Sequence, residues 1–126
     1  MDDDLLRMLR KACLAVASKE YCSYPEYYDK KKSLLDGHCG VVSYLIYKLF
    51  GGCIVTGKID GSKHYWNRLP DGREVDLTSC QFGGDGFNPL KKGRKVKKDM
   101  DKDLLNPIYL LYYFEIMAFL KNKSVD

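Results

Sequence analysis

Apolar residues recur at helical spacing near the start of the chain. Leu5, Leu6, Met8, Leu9, Ala12, Cys13, Val16 and Ala17 fall largely on one stripe. The spacing predicts a helix from Asp3 to about Ser18, with the acids Asp2–Asp4 at the positive end of its dipole. From Glu20 to Asp36 the periodicity breaks into a tyrosine-rich loop around Pro25, with three lysines at 30–32. A second helix is predicted from Gly37–Cys39 to Phe50, with Val41, Val42, Leu45, Ile46, Leu49 and Phe50 apolar, and Gly51-Gly52 stops it. Three strands are then expected, Cys53–Ile59, Ser62–Leu69 and Arg73–Thr78, joined by Asp60-Gly61 and Pro70-Asp71-Gly72. A last helix begins at Pro107, where Asn106 can cap it, and runs to about Lys121. This order is an α+β domain, and 126 residues suit one domain spanning 1–126.

The second hairpin carries positional information. Pro70-Asp71-Gly72 fits a three-residue loop, proline entering a type I turn and glycine taking the left-handed position after it. That loop pairs Leu69 with Arg73, Arg68 with Glu74, Trp66 with Asp76 and His64 with Thr78. His64, Trp66, Arg68, Glu74, Asp76 and Thr78 then share one face, and Tyr65, Leu69, Val75 and Leu77 the other. His64 and Asp76 become diagonal neighbours. A two-residue Asp71-Gly72 turn would put them on opposite faces, but it needs a proline as the paired strand residue, a poor position for one.

Charge changes the picture only locally. The formal net charge is +4, yet residues 1–90 hold 12 basic and 12 acidic residues, and residues 91–98 hold six basic residues and no acid. The segment reads as a basic linker, or as a polyanion or nucleic-acid patch. No aromatics interleave with its lysines, so no base-stacking platform is indicated. The longest apolar run, Ile108–Leu120, has 13 residues and contains Glu115, too short for a membrane span. The N-terminal Met-Asp-Asp-Asp has the wrong sign for a secretory signal, and five cysteines without a Cys-x-x-Cys pair suggest reduced thiols in the cytoplasm.

Cys39 carries the candidate chemistry. At a helix start, unpaired N–H groups and the dipole favour a thiolate and can hold the oxyanion its attack creates. His64 supplies a base, and Asp76, on the same hairpin face, a group to orient it. Each has a plainer reading: Cys39 as a small buried hydrophobe, His64 as a satisfied strand residue, Asp76 as a partner of Arg68 or Arg73. Cys13, Cys22, Cys53 and Cys80 read as structural thiols. A zinc site from Cys39, His64 and Cys80 lacks the usual close ligand pairs, and no cofactor is expected. The tyrosines at 21–28 either line a groove or pack over the cleft.

The strings Gly37-His38-Cys39-Gly40-Val41-Val42, Phe50-Gly51-Gly52, His64-Tyr65-Trp66-Asn67-Arg68-Leu69-Pro70-Asp71-Gly72, Glu74-Val75-Asp76-Leu77-Thr78, Gln81-Phe82-Gly83 and Asn106-Pro107 resemble the YunG-like family of small bacterial proteins over roughly residues 34–120. That family's arrangement in turn resembles the papain-like and transglutaminase-like core, with Cys at a helix start and His and Asp on successive strands. The resemblance implies a Cys39–His64–Asp76 constellation for amide or thioester chemistry. The substrate would be a protein, a peptide or a small amide. His38, Trp66 and Asn67 are the expected oxyanion or pocket residues. Glutamine is expected directly before the cysteine, and His38 stands there instead. Two alternatives stay open: a non-catalytic protein- or peptide-binding module on the same scaffold, using a Trp66 cleft, and a polyanion-binding protein using residues 91–98.

Overall fold

The computed structural model describes the backbone of residues 3–23, 25–29, 33–35, 37–59, 61–90, 97–98 and 107–125. Helix α1 spans Asp3–Ala15 and buries Leu6, Leu9, Ala12 and Cys13, members of the predicted stripe. It stops before the expected Ser18 because Ser18 is extended (φ −158°) and its hydroxyl accepts the Glu20 N–H, capping a 3-10 turn over Lys19–Tyr21. A side chain that captures a backbone N–H offers the chain an alternative to helix.

Helix α2, Cys39–Phe50, ends at Gly51, whose φ of 79° is open to glycine and whose N–H closes on the Tyr47 carbonyl. Strands β1 (Cys53–Ile59) and β2 (Ser62–Arg68) pair antiparallel, with Ile59 opposite Ser62 and Gly57 opposite His64. β3 is Glu74–Val75, and β4, Lys97–Lys98, lies against Val55 and Thr56 on the other edge of β1. The sheet order is β3-β2-β1-β4, a long antiparallel hairpin flanked on each edge by a two-residue strand. Lys97–Lys98 are thus a strand where a linker was expected, and residues 91–96 lie outside the described residues.

The hairpin register follows the turn chemistry. Arg68 pairs with Glu74, the Leu69 N–H donates to the Arg73 carbonyl, and Gly72 takes φ +91°. The strand ends at Val75 and not at Thr78. Asp76 Oδ1 accepts both the N–H and the hydroxyl of Thr78, while the Asp76 N–H donates to Phe87 O. This Asx turn bends the chain out of the ladder.

Helix α3, Pro107–Val125, packs Tyr112 and Ile116 into the core against α1 and α2. The expected Asn106 cap lies outside the described residues. Among the described residues no helix is long and apolar enough to cross a membrane. The layers put the start of α2 against β2 and the turn after β3, and the candidate site lies where these meet.

Candidate functional site

Cys39 is the first residue of α2 and is 8% exposed. The helix starts there because Gly37 takes φ 68° and the His38 carbonyl accepts the first helical bond, from Val42. Ser43 returns its hydroxyl to the Cys39 carbonyl at 2.6 Å, which holds the first turn.

His64 is fully buried on β2. Its Nε2 lies 2.6 Å from Asp76 Oδ2, so the two predicted partners meet as a closed pair. Both Asp76 oxygens are used, Oδ2 on the imidazole and Oδ1 on Thr78. A carboxylate engaged this way is an acceptor, so the network assigns the Nε2 proton to His64 and turns Nδ1 away from Asp76. Burial alone lowers the pKa of His64, and the hydrogen bonds and charges of Asp76 and Cys39 outweigh it, raising the imidazole from 6.5 to about 9. Cys39 stands near enough to the ring to add to that rise. The three residues singled out by the sequence converge.

Trp66 is a correction. It is 1% exposed, so it lines no open pocket. Its ring stacks on His64 (centroids 5.7 Å apart, planes at 25°), and its Nε1–H donates to Glu74 Oε1 at 2.6 Å. Phe82 approaches the imidazole edge-on, with centroids 4.9 Å apart. His64 is clamped between two aromatic rings and screened from water.

His38 and Asn67 also depart from their expected pocket roles. The His38 ring is fully buried and its Nε2 accepts the Ser18 N–H at 3.2 Å, so that nitrogen is an acceptor and not an oxyanion donor. Tyr21, Tyr28 and Tyr112 surround the ring, with centroid distances of 5.7–6.5 Å. Part of the tyrosine cluster at 21–28 thus forms a nest for His38. Asn67 neighbours Trp66 on β2 and so faces the other way; its amide donates to the Ser43 carbonyl at 2.9 Å, tying β2 to α2.

Gln81 is the site neighbour that sequence reasoning missed. It sits on the 3-10 turn Ser79–Phe82 and is buried. Its Oε1 accepts the Gly37 N–H at 3.0 Å and its Nε2 stands 3.4 Å from His64 Nδ1. The signal was a polar residue five positions after Asp76, inside the Gln81-Phe82-Gly83 string. All five cysteines are free, Cys13, Cys22 and Cys39 buried and Cys53 and Cys80 half-buried. Among the described residues no group of three His, Cys, Asp or Glu is placed to hold a metal.

The arrangement joins a thiol at a helix start, an imidazole with an assigned proton, a carboxylate that fixes the ring and an amide beside them. Groups of these kinds are the ones that acyl transfer through a thioester uses. The family model described as YunG protein matches residues 2–106 of the chain. No curated protein and no solved structure matches it.

Proposed function

The chain belongs to the YunG family, and from that premise we propose that it is a cysteine-dependent hydrolase or acyltransferase acting on an amide or thioester through Cys39, His64 and Asp76. The order of these groups, cysteine on a helix start and histidine and aspartate on the following strand and turn, is similar to that of papain-like and transglutaminase-like cores. The observation that carries the proposal is His64, bonded at Nε2 to Asp76 at 2.6 Å, with Cys39 near enough to help raise its pKa.

The chemistry follows from these contacts. The Cys39 sulfur attacks the acyl carbon, forming the C–S bond and moving the carbonyl electron pair onto oxygen. His64, protonated, gives its Nδ1 proton to the leaving amine or thiolate as the C–N or C–S bond breaks. His64 then takes a proton from water or an acceptor nucleophile, which displaces the acyl group and restores the thiol pair. Asp76 keeps Nε2 protonated throughout and stabilises the imidazolium. A reducing, cytoplasmic setting and a protein, peptide or small amide substrate belong to the same proposal.

The rival reading, a binding module with a Trp66 cleft, needs an accessible indole, whereas Trp66 is 1% exposed. A phenyl thioacetate probe followed by peptide mapping tests the reading. Acetyl on Cys39 that disappears in His64→Ala supports it. Acetyl spread evenly over Cys53 and Cys80, or unchanged by His64→Ala, defeats it.

A further inference from the structure

The buried Gln81 amide is oriented by its own hydrogen bonds. Oε1 is committed to the Gly37 N–H, two residues before Cys39, so Nε2–H₂ is the end that faces His64 Nδ1. The 3.4 Å separation is long for an N–H···N bond, and it closes off entirely when Nδ1 carries a proton, because two donors then face each other. An amide donor left without that acceptor, beside the start of α2, has one acceptor to gain there: the negative oxygen that forms when the Cys39 sulfur attacks a carbonyl. The His38 ring packs in the Tyr21, Tyr28 and Tyr112 nest, and its Nε2 is taken up as an acceptor by the Ser18 N–H.

We infer that Gln81 is the side-chain donor of the oxyanion site, acting with the N-terminal backbone N–H groups of α2. The inference rests on the acyl-transfer reading above. During attack the C–S bond forms, the carbonyl π pair moves to oxygen, and the Gln81 N–H, which a protonated Nδ1 cannot accept, donates to that oxygen. When the leaving group departs with the His64 proton, the carbonyl re-forms and the amide is released. Preorganised donors of this kind act on developing charge and not on the ground state. Gln81 therefore serves acylation and is irrelevant to a displacement that creates no oxyanion.

Two probes separate these chemistries on the same sulfur. p-Nitrophenyl acetate acylates through a tetrahedral oxyanion, whereas iodoacetamide alkylates by displacement at a saturated carbon. Gln81→Met removes the donor, and Gln81→Glu keeps an oxygen for the Gly37 N–H while removing the donor. In both variants the Cys39 acylation rate should fall by about 100-fold or more, the size found when one oxyanion donor is removed. Alkylation of Cys39 should change by less than about threefold, a factor worth under about 1 kcal/mol. Equal losses with both probes in Gln81→Glu would make Gln81 a support for the thiol pair and overturn the oxyanion role, as would acylation left intact. If Gln81→Met unfolds, seen as indiscriminate alkylation of all five cysteines, Gln81→Glu alone decides. A wild-type protein that shows no Cys39 acylation, although it alkylates normally at that residue, fails the acyl-transfer reading itself and the donor role with it.

Discussion

His64 Nε2 and Asp76 Oδ2 lie 2.6 Å apart, with both side chains withdrawn from solvent, on a strand and on the turn that ends its neighbour. The pair depends on both oxygens of Asp76, because the second holds the N–H and hydroxyl of Thr78. Asparagine has one oxygen for these two duties. Asp76→Asn must either release Thr78 or present its NH₂ to Nε2, which moves the imidazole proton to Nδ1 and removes the base. Acylation of Cys39 by p-nitrophenyl acetate should fall by about 10³-fold or more. A loss below about tenfold in a folded variant would assign Asp76 a packing role only.

Stability should depend on pH through the same pair. The folded-state pKa of His64, about 9, lies above its ordinary 6.5, so folding favours the bound proton. The stabilisation is complete below about 6.5 and is lost as pH rises through about 9, on the order of 1–3 kcal/mol in all. Cys13, pushed up to about 11 by burial, adds a loss of the same sign that begins above its ordinary 9. Urea unfolding should therefore be compared with His64→Gln, which retains Cys13. The wild-type midpoint should fall more steeply than that of the variant between about pH 6 and about pH 9. Parallel curves would remove the raised His64 pKa from the account.

Two glycines with similar dihedrals should respond unequally to substitution. Gly61 (φ +82°) and Gly52 (φ +78°) both lie in the left-handed region, but a Cβ at Gly61 meets nothing within 4 Å. At Gly52 it would collide with the Arg68 carbonyl oxygen at the end of β2. Gly61→Ala should cost about 1 kcal/mol, the backbone penalty alone. Gly52→Ala should cost at least about 2 kcal/mol more, through overpacking against backbone. Equal shifts in thermal midpoint would contradict the close approach of residue 52 to β2.

How far the site was legible follows from where each contact is encoded. The His64–Asp76 meeting rests on local turn chemistry, since Pro70-Asp71-Gly72 sets the register and Gly72 takes the left-handed position it requires. Cys39 at a helix start is likewise local, marked by a glycine and a following apolar stripe. The end of β3 at Val75 was hidden because the Asx turn of Asp76 competes with a ladder that the alternation also favours. His38 was misplaced because its partners, Ser18 and three tyrosines, reach it from other segments. Gln81 escaped for the same reason, its partners lying 44 and 17 residues away. Alternation placed Trp66 beside His64 but could not say whether that face opens to water or lies beneath Phe82.

The central claim is that Cys39 is the activated thiol, and competition among the five cysteines tests it most directly. Exposure alone favours the half-buried Cys53 and Cys80 over Cys39, which is 8% exposed. Native protein treated with limiting iodoacetamide at neutral pH, then mapped by mass spectrometry, should carry the label first at Cys39, and His64→Ala should abolish that preference. Labelling that follows exposure, with Cys53 and Cys80 modified first and Cys39 spared in wild type and variant alike, would contradict the account.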